Sequence, residues 1–349
     1  MLCYVFGNKN VIFSVSNMQK FIQKLLFQLN PESAHSFAQT LINLRYANFF
    51  ESSKQEKPVE LWGLRFPNPV GLAAGWDKNG VCFDALFRLG FGFVEVGTVT
   101  PKPEKGNPKP RLFRIQKKNA LINRMGFNNA GIDALVHKLQ TRKAPGILGV
   151  NIGKNKDTPL ENALDDYQTC LKAVYPYADY IVVNISSPNT PGLRELQSER
   201  YLNHLLQGLR TAKKSAAAVV DRDLPLLLKT TVDLPETMYA SFVQTLIDND
   251  IDGLVISNTT IDHSSVSNDK YGNEIGGLSG QPLRERTTKM IQAINEISEK
   301  KLPIIGVGGI FSAEDALKHQ QAGAALFQLF TGFVYQGPQL INEILSALP

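Results

Sequence analysis

Eight apolar, β-branched runs alternate with helical patterns through most of this chain, and that alternation narrows the fold more than any other feature. The runs fall at residues 69–74, 93–99, 146–152, 180–185, 226–230, 253–257, 303–307 and 325–330. Each is short, nearly continuous in apolar residues and bounded by turn formers, as in a strand buried on both faces. Helical periodicity lies between them, for example at 160–175, 200–219, 235–249, 284–298 and 313–322. Eight β/α units over about 280 residues predict an α/β fold, a (β/α)8 barrel of the TIM type. A doubly wound open sheet is the alternative. It usually has fewer strands and a glycine fingerprint after the first one, which Gly71-Leu72-Ala73-Ala74-Gly75 is not.

The chain of 349 residues suits one such barrel with an appendage, and its 43% hydrophobic and 20% charged residues supply a full core. Ahead of the barrel, Phe21, Ile22, Leu25, Leu26 and Leu29 form a helical stripe opposite Lys20, Gln23, Lys24 and Gln28. Asn30-Pro31-Glu32 stops this helix and starts another: Asn caps, Pro suits the first turn, and Glu suits the positive end of the dipole. The second helix is expected to reach about Ala47, with Ala34, Phe37, Ala38, Leu41 and Leu44 on one face. Residues 51–58 read as a polar linker. The expected division is an extension of open status at 1–17, an amphipathic two-helix segment at 18–50 and a barrel at 58–349. Met18 reads more naturally as a start than Met1 does, and no small-residue cleavage site clearly follows the apolar Val11 to Val15. Lys20 and Lys24 interrupt the only candidate for a membrane-spanning run.

Charge and chemistry exclude several classes. The net charge of +5 is mild, although residues 102–124 hold eight Lys or Arg and one Glu. Only Phe113 interleaves there, so a solvated loop meeting one small anion is favoured over a nucleic-acid groove. Cys3, Cys82 and Cys170 show no metal spacing and fit a reducing compartment. No His-Glu-x-x-His motif and no Cys or His cluster is present, so no metal is expected, and no Ser-His-Asp set can be placed.

Polar residues gather where the runs end, which in a barrel is the active-site face. The ends read Ala73 to Lys78, Gly97-Thr98, Asn151 to Asn155, Lys229-Thr230 and Ser257 to Thr260. The fourth run ends in Asn184, Ser186, Ser187, Asn189 and Thr190, broken by Pro188, Pro191 and Gly192. Gly308-Gly309 after the seventh run and Thr331-Gly332 after the eighth suit a phosphate. Lys229, preceded by three leucines, places a cation where negative charge develops.

Together these motifs resemble the dihydroorotate dehydrogenases of the membrane-associated, quinone-using class, from about residue 18 to the end. The resemblance rests on Asn123-Arg124-Met125-Gly126-Phe127, residues 184–192 and Gly277-Leu278-Ser279-Gly280, in that order. It implies oxidation of dihydroorotate to orotate on FMN in de novo pyrimidine synthesis, with a membrane quinone as electron acceptor. It implies a flavin surrounded by Ala74, Gly75, Trp76, Asp77, Lys78, Thr98, Asn151, Asn184, Lys229, Ser257, Gly280, Gly309, Phe330 and Thr331. Substrate would meet Lys78, Asn123, Arg124, Met125, Gly126, Phe127, Asn184, Asn189, Asn258 and Thr259, with Ser187 as the base. His35 and Arg114 would face the quinone. The soluble class carries Cys where Ser187 stands and lacks the leading helices, so a soluble flavin oxidoreductase using fumarate or NAD is the lesser alternative. A non-enzymatic membrane-docking barrel is the alternative from another class. The resemblance further implies a monomer held peripherally on the cytoplasmic face of the inner membrane through a lipid surface. Two departures stand out: Phe330 replaces a common Tyr, and Trp76 is larger than the usual residue.

Overall fold

The computed structural model describes residues 15–44 and 56–349, with the side chains of the first helix from Ile22 onward. Residues 1–14 of the expected extension, the side chain of Phe21, Ala47 and residues 51–55 of the linker lie outside that description. Helix α1 (Val15–Gln28) is followed by α2 (Pro31–Asn43). The break between them forms as expected, with Asn30 Oδ1 accepting from Glu32 N at 3.0 Å and Pro31 in the first turn. Two boundaries differ from expectation: α1 begins ahead of Met18, and α2 ends at Asn43 instead of near Ala47.

A small hairpin comes next, β1 (Val59–Leu61) against β2 (Leu64–Phe66). Its turn, Trp62-Gly63, has φ of 55° and 72°, the mirror-image geometry that matches strand twist. The chain then runs β3 (Val70–Leu72), α3 (Phe83–Arg88), β4 (Phe93–Val99), β5 (Leu112–Ile115), β6 (Ala120–Asn123) and α4 (Ile132–Leu139). It continues β7 (Ile147–Ile152), α5 (Ala163–Val174), β8 (Tyr180–Asn184), α6 (Glu199–Val220), β9 (Leu226–Thr231), α7 (Tyr239–Asp248) and β10 (Gly253–Asn258). It ends β11 (Gly277–Gly280), α8 (Arg284–Ile297), β12 (Ile304–Val307), α9 (Ala313–Gln321), β13 (Ala324–Leu329), α10 (Thr331–Gln336) and α11 (Gln339–Ala347).

All eight expected strands form one closed parallel barrel, in the order β3, β4, β7, β8, β9, β10, β12, β13 and back to β3. The periodicity of the chain therefore gave the right architecture. Apolar residues on the outer face of the strands meet the helices in the main core, from Leu72 and Val94 to Ile341 and Leu345. Inside, a second cluster of Phe66, Phe93, Tyr180, Leu227, Val255, Ile305 and Leu326 fills the floor. Gly149 makes room there, since a Cβ on it would lie 2.1 Å from the Tyr180 ring.

What sequence periodicity did not show is a cover over the mouth. The connection after β4 carries β5 and β6, and the connection after β10 carries β11. These three form an antiparallel sheet in the order β11, β6, β5. Gly277 pairs with Asn123 across it, which holds residues 123–127 above the strand ends.

Candidate active site

Side chains two apart on a strand share a face. Stepping up from the aromatic floor, Phe93 leads to Glu95, Leu227 to Lys229, Val255 to Ser257, Leu326 to Gln328 and Val182 to Asn184. The inward face thus changes from apolar to polar within one pleat. Glu95, fully buried, organises this layer. It accepts from Asn151 Nδ2 at 2.8 Å, Gln328 Nε2 at 2.5 Å and Tyr180 Oη at 3.4 Å. Asn151 Oδ1 accepts from Thr98 Oγ1 at 2.5 Å, and Thr98 Oγ1 accepts from Asn184 Nδ2 at 2.9 Å. Lys229 is 5% exposed. Burial holds its ammonium below the ordinary lysine range, and the nearby charge of Glu95 opposes that shift.

The loop after β8 is held from several sides. Tyr167 Oη donates to Asn184 O at 2.7 Å, and Asn184 Oδ1 accepts from Ser186 N at 3.1 Å. Asn258 Nδ2 donates to Ser186 Oγ at 3.0 Å. Arg194 reaches Ser186 O and Thr259 O, each at 3.1 Å, and is itself paired to Asp233 at 3.0 Å. Ser187 Oγ accepts from Asn189 N at 3.3 Å. Asn189 Nδ2 donates to Asn123 O at 3.1 Å and Asn123 Oδ1 at 3.2 Å, joining this loop to the cover sheet.

These elements enclose a cavity of about 320 Å3 that runs from the barrel mouth to the space between α1 and α2. Ala74, Gly75, Trp76, Lys78, Thr98, Asn184, Lys229, Ser257, Gly280, Gly309, Phe330 and Thr331 line it, as do Ser187, Asn123, Met125, Gly126, Phe127, Asn189, Asn258 and Thr259. So do His35 and Arg114. Three residues expected at the site stand back from it. Asp77 accepts from Val81 N at 2.8 Å and Cys82 N at 2.9 Å, so its carboxylate shapes the loop ahead of α3. Asn151 lies behind Thr98. Arg124 turns outward to Glu274 at 2.6 Å and over the Phe113 ring at 4.6 Å.

Lys78 Nζ donates to Gly75 O at 2.6 Å. Burial first, then the charge of Arg111, brings its ammonium down to about 8, against the opposing pull of Glu32 and Asp77. His35 stacks edge-on against Trp76 at 5.0 Å. Burial and the charge of Lys78 bring His35 down to about 4, so it is neutral at pH 7. Arg114 does more than face the cavity. It donates to Leu26 O at 3.2 Å and to Leu29 O, satisfying carbonyls at the end of α1, and lies over the Phe27 ring at 5.0 Å.

Sequence reading passed over Glu95, Gln328 and Arg111, and it took Glu32 only as a helix start without its pairing to Arg111. For the first two a signal existed, a carboxylate or amide side chain inside a mostly apolar strand. Among the described residues, no group of three or more His, Cys, Asp or Glu is placed to hold a metal ion.

The family model described as dihydroorotate dehydrogenase matches residues 57–349. The dihydroorotate dehydrogenase (quinone) of Stenotrophomonas maltophilia strain R551-3 is 49% identical over 336 residues, 95% of this chain and 96% of that one. The protein of the same name from Cellvibrio japonicus strain Ueda107 is 50% identical over 328 residues, 93% of this chain and 96% of its own. The crystal structure of the Eimeria tenella enzyme in complex with ferulenol superposes with a TM-score of 0.86 at 35% identity, covering 93% of each chain.

Proposed function

The chain belongs to the dihydroorotate dehydrogenase family, and from that premise we propose that its barrel mouth holds FMN and oxidises dihydroorotate, with quinone arriving between α1 and α2. The overall reaction is that of the quinone-type enzymes: dihydroorotate becomes orotate, a step of pyrimidine biosynthesis, and quinone accepts the electrons. The observation that carries this reading is the single cavity, which joins Ser187 and Lys229 at one end to the apolar Ile22, Leu26 and Leu41 at the other.

The family is flavin-dependent, and the residues present fit such a group. Lys229 is a buried cation that no hydrogen bond or ion pair engages among the described residues. Gln328 Oε1 and Thr259 Oγ1 are buried without a partner there, an expensive state unless a ligand supplies one. Gly308 and Gly309, at φ of 134° and 76°, line the cavity with bare backbone where a phosphate would sit, beside Thr331 at the start of α10. A bound flavin supplies the hydride acceptor and carries the two electrons onward.

The chain's own residues do the rest. Asn123, Asn184, Asn189 and Asn258 present amide groups suited to the donor and acceptor edges of the substrate ring. Lys78 suits its carboxylate. Ser187 takes the proton from the ring carbon, and its burial at 6% exposure keeps bulk water from competing. Lys229 offsets negative charge that grows beside it. Leu25, Leu29, Phe37 and Leu44 are 48%, 44%, 50% and 73% exposed on the helical hairpin. No helix among the described residues is long and apolar enough to cross a membrane. The exposed apolar side chains support a hairpin that lies on a lipid surface.

Anaerobic titration tests the reading. Dihydroorotate should bleach the yellow purified protein, and a quinone should restore the colour while fumarate and NAD do not. A folded protein that takes up no FMN, or one reoxidised by fumarate or NAD instead, overturns it.

A further inference from the structure

Arg111 binds together two parts of the cavity wall that are far apart in sequence. Its side chain is 7% exposed, and its guanidinium meets Glu32, near the start of α2, at 2.6 Å from Nη2 and 3.2 Å from Nε. Its Nη1 donates the other way, to Lys105 O at 2.8 Å and Asn107 O at 3.0 Å. Asn107 N in turn donates to Met125 O at 3.0 Å, and Asn107 Nδ2 to Arg124 O at 3.0 Å and Asn189 O at 3.5 Å. Arg124 N donates to Arg111 O at 2.9 Å. The contacts therefore run from the helical hairpin through Arg111 and Asn107 to the loop at 123–127 and to Asn189, beside Ser187.

Glu32 is suited to this task. Burial pushes its carboxyl up, but the hydrogen bonds and charge of Arg111, with Lys109 at 3.5 Å, outweigh that and hold it below the ordinary value. A buried guanidinium that loses its carboxylate is left with unpaired donors and shifts to find others. The loop at 105–107 has little room to follow, because a Cβ at Gly106 would lie 2.3 Å from Met125 O.

We propose that Arg111 is a positioning residue for the dihydroorotate half-reaction, held from the hairpin by Glu32, so that the helices bordering the quinone path also set the shape of the substrate pocket. The proposal rests on the functional reading above. It assigns Arg111 no contact with substrate, and its effect belongs in affinity more than in the chemical step.

The test uses the full flavin-loaded chain as wild type, Glu32→Gln, Arg111→Lys, Asn107→Ala and the Glu32→Gln/Asn107→Ala double variant. Orotate binding is measured by calorimetry, and flavin reduction by dihydroorotate in anaerobic stopped flow. Each single change should weaken orotate binding about fivefold to tenfold while the limiting reduction rate stays within about twofold. The double variant should be little worse than either single one, because both break the same chain of contacts. Wild-type orotate affinity in Glu32→Gln and Arg111→Lys, or strictly additive losses, overturns the proposal. If Arg111→Lys does not fold, Glu32→Gln decides, since it removes the charge and keeps the volume. A wild type that binds no orotate counts instead against the functional reading.

Discussion

In the proposed reaction Ser187 takes up a proton with no histidine bonded to it, and among the described residues its hydroxyl meets the Asn189 amide. A hydroxyl in that position acts as a base only while a neighbouring group or a single water takes its own proton. Ser187→Ala should therefore slow anaerobic flavin reduction about a hundredfold or more and leave FMN bound. Reduction at the wild-type rate would remove Ser187 from the reaction. Lys78 makes a second prediction. Below about pH 8 it is an ammonium and above that it is neutral. A bound carboxylate favours the ammonium, so orotate affinity should fall as pH rises through about 8, approaching tenfold per pH unit. Lys78→Met should bind weakly at every pH and lose that slope; a wild-type affinity flat through this range would show that Lys78 does not meet the carboxylate.

At the scale of elements, α1 and α2 are docked by polar contacts as much as by apolar ones. Gln39 Nε2 donates to Trp76 O at 2.9 Å, Asn43 Nδ2 to Val81 O at 2.9 Å, and Gln23 Nε2 to Tyr335 O. Their apolar side chains divide between the cavity and the exposed surface. Deleting residues 1–47 should lower the rate of quinone reoxidation more than tenfold and abolish flotation with liposomes. The limiting rate of flavin reduction should survive, with dihydroorotate affinity weakened through the loss of Glu32. Full-rate reoxidation together with unchanged flotation would reduce the hairpin to a structural cap. The element boundaries here were legible at Asn30-Pro31, where cap chemistry is local. The far end of α2 was not legible, because the 3.6-residue periodicity continues past Asn43 while the helix does not.

At the scale of the whole molecule, the order of eight strands and the polar character of their ends could be read directly, because strand burial imposes apolar runs and strand ends impose turn chemistry. The residues around Ser187 and the glycines after β12 were legible for the same local reason. Arg124 and Asp77 show where such reading stops: each stands in a recognisable motif, yet one turns to Glu274 and the other caps Val81 and Cys82. No local pattern distinguishes a side chain that faces a cavity from one that braces its wall. The hub at Glu95, the pairing of Asn123 with Gly277 and the bridge from Glu32 through Arg111 all join residues distant along the chain. Sequence by itself determined the barrel and the end at which chemistry gathers. Tertiary structure alone decided which polar groups meet, because burial makes each of them take whatever partner closure of the barrel and its cover sheet brings within hydrogen-bonding distance.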